Sequence, residues 1–134
     1  MAISPTQRSL KMLRDEGWIV SVTEHWLVIP GHPGGGIRKD LFGFGDLLAL
    51  KDGEPPMIVQ TTSGANTAAR LTKIRGLPEA SLAVRCGFIV RVHGWRQLIV
   101  GRTKEGKAKR AWVCKEEDFN PYRLPEVEVE HGLS

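Results

Sequence analysis

Two apolar segments joined by a short turn constrain the fold of this chain more than any other feature. The first segment, Asp46–Leu50, and the second, Met57–Thr62, both have the character of buried strands. Residues 51–56 between them read Lys-Asp-Gly-Glu-Pro-Pro, where Asp-Gly is a hairpin signal and the prolines cannot continue a ladder. The sequence therefore predicts an antiparallel strand pair, which excludes a helical bundle.

The segments on either side of this hairpin predict helices and further strands. Ser4 as N-cap, Pro5 at the first helical position and Gln7 at the capping-box position predict a helix that ends at Glu16. The other predicted elements are strands at 18–23 and 26–29, a flexible loop at Gly31–Gly36, helices at 67–75 and 78–86, a strand at 88–93, and a late hairpin that pairs Leu98–Val100 with Ala111–Cys114. This order predicts an α/β or α+β fold.

Length and composition indicate a single intracellular domain. A chain of 134 residues with 41% hydrophobic residues is about one domain long and can bury a core. No apolar run approaches the roughly 18 residues that cross a bilayer, and two cysteines make no disulfide framework. We therefore expect no membrane association and a cytoplasmic location (the host cytoplasm if a phage encodes the chain). Residues 1–117 are expected to form the domain, and residues 118–134 an acidic, loosely ordered tail.

The charge of the chain is distributed unevenly. The formal net charge is +4, but residues 1–115 carry +9 and residues 116–134 carry −5. A basic body favours a polyanionic partner such as nucleic acid, and an acidic tail either shields that surface or remains solvated. The charge pattern therefore makes DNA the first partner to consider.

Polar residues at one end of the predicted hairpin suggest chemistry on phosphate. Asp46 opens one strand, Gln60 and Thr62 lie at the end of its partner, and the helix that follows carries Arg70 and Lys73. These side chains can meet at one edge of a sheet. Phosphodiester cleavage needs oxygen ligands for a hard cation and a positive charge near the phosphoryl group.

With these residues in place, the sequence resembles the PD-(D/E)XK nuclease superfamily, and within it the small Holliday-junction-resolvase-like and phage endonuclease-like domains. The resemblance covers about residues 4–100 and rests on the element order, Asp46, Gln60-Thr61-Thr62 and the basic helix. It implies a restriction-endonuclease-like mixed β-sheet flanked by helices, followed here by a C-terminal β-hairpin. In that superfamily the first Asp and the Glu of a Glu-x-Lys motif bind Mg²⁺ (or Mn²⁺), and the Lys positions or activates the attacking water.

The match assigns roles to three residues and shows two departures. Asp46 takes the place of the metal-binding Asp, Gln60 that of the Glu, and Thr62 that of the Lys. Gln60 can still ligate through its carboxamide oxygen, but without charge it should lower the affinity for Mg²⁺. Thr62 cannot act as a cation at all.

The resemblance also implies where the missing groups come from. The lysine of the motif migrates to the next helix in some members, so Lys73 or Arg70 would supply the positive charge. Lys73 is the stronger candidate for a catalytic role, since an ammonium shifts its pKa more readily than a guanidinium. A further metal-binding acid comes from the first helix or nearby, and Glu16 and Glu24 are the candidates.

Further residues are candidates for binding nucleic acid. They are Arg38, Lys39, Arg70, Lys73 and Arg96 for phosphates, and Trp95 for stacking on a base. Structural alternatives stand beside them, because a basic pair is commonly solvated and an aromatic residue beside a turn is commonly packed. The Lys-rich segment 101–110 is equally consistent with a phosphate-tracking loop and with a solvated hairpin loop.

The sequence leads to one leading function and two alternatives. The leading hypothesis is a Mg²⁺-dependent DNA endonuclease with a degenerate site, acting on branched or otherwise structured DNA. The first alternative is a catalytically silent relative that binds DNA or a protein, and the second is a phage-type accessory protein that binds a host protein. Junction-cutting relatives are typically dimers, so the resemblance also implies a homodimer.

Overall fold

The computed structural model describes residues 3–123 and contains a five-stranded mixed sheet flanked by helices. The helices are α1 (Pro5–Asp15), α2 (Thr67–Arg75) and α3 (Pro78–Arg85); the strands are β1 (Ile19–Val22), β2 (His25–Val28), β3 (Gly36–Lys39), β4 (Leu47–Leu50), β5 (Met57–Ser63), β6 (Ile89–Arg102) and β7 (Ala108–Asp118). The sheet order is β1-β4-β5-β6-β7, in which β5 and β6 are parallel and the other neighbours antiparallel. The α/β class, the mixed sheet and the C-terminal hairpin are confirmed.

Helix α1 covers one face of the sheet. Ser4 and Gln7 form the predicted capping box, and Leu13 on the apolar stripe is fully buried. Leu13 packs in a core cluster with residues of β1, β4 and β5, namely Val20, Leu47, Ala49, Met57 and Val59. The N-terminus of α1 consequently lies near the end of β5, where Thr6 Oγ1 is 2.7 Å from Thr61 Oγ1.

Helices α2 and α3 cover the opposite face. Ile74 of α2 and Ala80 and Ala83 of α3 pack on alternate residues of β5 and β6, including Ile58 and Val92. The close approach of α2 depends on Gly94 in β6, because a Cβ there would lie 2.1 Å from Thr67 Oγ1. The parallel pairing of β5 and β6 follows from the αα crossover between them.

Residues 25–39 form a small hairpin outside the main sheet. Strands β2 and β3 pair with His25 opposite Lys39 and Val28 opposite Gly36. The predicted loop at Gly31–Gly36 connects β2 and β3 and contains a short turn, Pro33–Gly35, in which Gly34 has a φ of 80°, and its last residue begins β3. Gly36 must lack a side chain, since a Cβ would lie 2.2 Å from the Leu27 carbonyl oxygen.

The C-terminal part of the domain is more extended than the sequence predicts. The strand expected at 88–93 and the first strand of the late hairpin are one continuous 14-residue strand, β6, which pairs with β7 from Arg91 to Arg102 with a register shift between Ile99 and Gly101. The domain also continues past the predicted boundary at residue 117, because Asp118 completes β7 and Phe119 is buried in the core. The rest of the predicted tail, from residue 124, lies outside the described residues. Within residues 3–123 no helix is long and apolar enough to span a membrane.

Candidate functional site

A cavity of about 540 Å³ opens at the edge of the sheet where β4 begins and β5 ends. The sequence predicts that Asp46, Gln60 and Thr62 meet at this edge, and all three line the cavity. The other lining residues come from β5, from the start of α1, from the base of the β2–β3 hairpin and from the start of α2: Ser4, Pro5, Thr6, Glu24, Arg38, Asp40, Thr61, Ser63, Asn66 and Arg70.

The backbone and side chain of Asp46 are both fixed by neighbouring strands. Its N–H donates to Val59 O at 2.9 Å, and its carbonyl accepts from Thr23 N at 2.9 Å. Strand β5 continues beyond its last pair with β4, so the Thr61 N–H has no strand partner on that side. Asp46 Oδ2 accepts that N–H at 2.8 Å and the Thr61 hydroxyl at 3.2 Å. The carboxylate is thereby held facing the cavity end of β5.

Three carboxylates converge beside Asp46. Glu24, Asp40 and Asp46 each place one oxygen within 4.8 Å of the others. Glu24 precedes β2 and Asp40 follows β3, so the hairpin register that pairs His25 with Lys39 brings the two acids together at its base. Glu24 is a predicted site residue, whereas the sequence analysis missed Asp40. Asp40 could have been identified by recognising residues 25–39 as a hairpin, because such a hairpin places residue 40 next to residue 24.

The local environment disfavours the ionised form of Asp46. The pKa of its carboxyl group is raised to about 7, mainly by burial, which leaves only 6% of the residue exposed, and also by the nearby Asp40 and Glu24 carboxylates. The Thr61 backbone N–H acts in the opposite direction and lowers this pKa. Three carboxylates this close repel one another, and the ion pair of Arg38 with Glu24 offsets only part of that repulsion, as expected of a site that accepts further positive charge.

Gln60 lines the same cavity as the three carboxylates. The residue is 3% exposed, and its Oε1 atom has no hydrogen-bond partner among the described residues. A buried carbonyl oxygen without a partner is costly, so such an atom in a native structure needs an explanation. The three converging carboxylates, with the carboxamide of Gln60 in the lining of the same cavity, offer oxygen ligands, which suit a hard divalent cation such as Mg²⁺ or Mn²⁺.

Of the basic residues predicted for the site, some line the cavity and others do not. Arg38 Nη2 donates to Glu24 Oε1 at 3.2 Å, and both residues line the cavity. Arg70 of α2 also lines it, whereas Lys73, almost one turn further along the helix, is exposed and is not among the lining residues. Lys39 is exposed on β3. The geometry thus favours Arg70 over Lys73 as the positive charge at this site.

Trp95 and Arg96 differ in their exposure. Trp95 is only 8% exposed, and its indole N–H donates to Ser9 Oγ at 2.8 Å inside the domain. The expectation that Trp95 stacks on a base is therefore corrected, because too little of the ring surface is open. Arg96, the next residue of β6, is exposed and crosses Gly64, where a Cβ would lie 3.1 Å from that of Arg96.

The described residues thus define an α/β protein with an oxygen-lined cavity at one edge of a mixed sheet. Comparison with models of protein families, with curated proteins and with solved structures gave no match. Any assignment of function therefore depends on the residues and the geometry of the cavity.

Proposed function

We propose that this protein is a divalent-cation-dependent DNA endonuclease of the PD-(D/E)XK type. The observation that carries the proposal is the convergence of Glu24, Asp40 and Asp46 in a cavity that is also lined by Gln60, whose carboxamide oxygen has no partner among the described residues. The cavity is open enough to admit a phosphate group, and it has Arg38 and Arg70 in its lining. Acidic oxygens for a cation next to guanidinium groups for a phosphate are the combination that phosphodiester hydrolysis requires.

The topology supports the resemblance from which the proposal starts. Helix α1 is followed by the antiparallel strands β1, β4 and β5, then by α2 and α3, and then by β6 parallel to β5. Asp46 precedes the middle strand of the antiparallel group, and Gln60 lies on the third. These are the positions that the resemblance implies for the Asp and for the Glu of the motif.

Each group in the cavity has a part in this proposal. Asp46, Glu24, Asp40 and Gln60 would hold Mg²⁺ or Mn²⁺, which when bound lowers the pKa of a coordinated water and neutralises phosphate charge. Arg70 presents a planar fork that suits a phosphate oxygen pair, and it supplies the charge that Thr62 lacks. The ion pair between Arg38 and Glu24 balances one carboxylate before the cation binds.

Cleavage assays on linear, single-stranded and four-way-junction DNA in Mg²⁺ or Mn²⁺ test the proposal. We expect Asp46→Asn and Asp40→Asn each to reduce the cleavage rate by about 10²-fold or more, the scale of one positioned catalytic group. Asp52→Asn is the matched control, because Asp52 is an exposed acid in the turn at the opposite end of β4. Thermal stabilisation by Mn²⁺ gives a readout apart from activity, and Asp46→Asn should abolish it. Equal rates for wild type and both site variants would refute the proposal.

A catalytically silent DNA-binding protein is the second candidate. One observation favours it. Thr62 occupies the position of the motif's lysine, and this buried residue brings no positive charge to the cavity that it lines. This candidate predicts DNA retention that falls steeply with salt and no cleavage of any of the three substrates. The homodimer implied by the resemblance belongs to either candidate and is tested by analytical ultracentrifugation.

A further inference from the structure

Strand β6 pairs with β5, whose end lines the cavity, and then leaves the body of the domain. The parallel register pairs Thr62 of β5 with Gly94 and Ser63 with Trp95. β5 ends at Ser63, whereas β6 continues to Arg102 and returns as β7. The paired segments 96–102 and 108–113 with their turn, which we call the arm, therefore project from the same edge of the sheet as the cavity.

The arm is a two-stranded ribbon with both faces largely open. Every residue from Arg96 to Arg102 is exposed, although the four residues before Arg96 are buried. Seven residues at about 3.3 Å each extend roughly 20 Å beyond the sheet edge. Trp112 near the base is covered in part by Arg8 of α1, whose guanidinium lies 3.9 Å from the ring centroid.

Most of the charged residues in the arm are basic. Residues 96–113 contain one acid, Glu105, and six basic residues: Arg96, Arg102, Lys104, Lys107, Lys109 and Arg110. None of the six forms an ion pair within residues 3–123. The base of β7 is acidic by contrast, with Glu116, Glu117 and Asp118, so the positive charge is concentrated on the part that projects.

We propose that the arm binds duplex DNA through the major groove and holds it against the cavity. This inference takes DNA as the substrate from the proposed function, but it concerns binding rather than cleavage. A two-stranded ribbon fits the major groove of B-DNA, about 12 Å wide, but not the deep, narrow major groove of duplex RNA. Unpaired lysines release counterions when they neutralise phosphates, which provides affinity. A second copy of the chain is a poorer occupant, because its arm carries the same positive charge.

Fluorescence anisotropy with a labelled DNA duplex in EDTA tests the arm without cleavage. The arm variant is Lys107→Gln with Lys109→Gln, and the control with equal charge loss is Arg14→Gln with Arg85→Gln. Arg14 and Arg85 are exposed in the last turns of α1 and α3, near the opposite edge of the sheet. We expect the arm variant to lower the slope of log K against log salt by about 2, roughly 0.9 per lost phosphate contact, and the control to leave it nearly unchanged.

The outcomes separate the arm from the catalytic proposal. If only the arm variant loses affinity for DNA and the wild type cleaves none of the substrates, DNA binding by the arm is supported and the nuclease activity is refuted. Equal affinities in the arm variant and the control would refute the proposal that the arm binds DNA. The cleavage rate of Asp46→Asn would still test the proposed nuclease activity. Equally tight binding of duplex RNA would overturn the major-groove assignment. A change of oligomeric state in the arm variant, seen by ultracentrifugation, would overturn it in favour of contacts between copies.

Discussion

Acidification should destabilise this protein through the buried side chain of His93. His93 of β6 is fully buried between the sheet and α1, with Nδ1 2.9 Å from Ser9 Oγ. Nε2 lies 3.3 Å from Glu116 Oε1 but is not aligned for a hydrogen bond. Burial, aided by the nearby positive charge of Arg91, lowers the pKa of His93 to about 4, although Asp118 acts in the opposite direction. The Glu116 carboxylate is 41% exposed, so solvent screens its attraction for an imidazolium.

The sign and size of the effect follow from proton linkage. An unfolded chain protonates His93 near pH 6.5, whereas the folded chain does so only near pH 4. The unfolded state therefore binds more protons between these two values, and the folded state loses stability as the pH falls through this window. At about 1.4 kcal/mol per pH unit, the loss reaches about 3 kcal/mol below pH 4, a substantial part of the stability of a small domain.

Urea unfolding between pH 7 and pH 4 measures the loss, with His93→Asn as the comparison. Asparagine places a polar atom near the position of Nδ1, so contact with Ser9 can persist, but it does not titrate. We expect the free energy of unfolding to fall by about 3 kcal/mol more in wild type than in His93→Asn across this range. Carboxylates titrate in both proteins and cancel in the difference. Parallel pH profiles for the two proteins would refute the assignment of the effect to His93.

Two further predictions concern the packing of α2 and the composition of the site. Gly94→Ala should cost roughly 1–3 kcal/mol in urea unfolding, because its Cβ would meet Thr67 Oγ1, whereas Gly101→Ala, with no atom of the described residues within 4 Å of the new Cβ, should change stability by less than about 0.5 kcal/mol. Similar losses in both variants would contradict this packing argument. Thr62→Lys combined with Gln60→Glu should raise the rate of DNA cleavage in Mg²⁺, since it restores the charges of the motif. If this folded double variant stays inert in both Mg²⁺ and Mn²⁺, catalysis would have to be given up for DNA binding alone.

The sequence by itself determined the elements whose signals are local. The α1 capping box at Ser4 and Gln7, the turn at Asp52-Gly53 and the boundaries of α2 each depend on residues a few positions apart. The turn also determined much of the site, because folding β5 back onto β4 brings the strand ends that carry Asp46 and Gln60 to one edge.

Only the tertiary structure decided the features that depend on distant pairing. Asp40 joins the site because the β2–β3 hairpin returns the chain to Glu24, and its glycine-rich turn hid that pairing from sequence analysis. The choice of Arg70 over Lys73 depends on how α2 is rotated against β6, which the close contact of Gly94 with Thr67 fixes. The burial of Trp95 also depends on tertiary packing. The alternation of residues along a strand does not show whether an aromatic ring is packed inside the domain or exposed to solvent. Residues far apart in sequence set these arrangements, so no local pattern contains them.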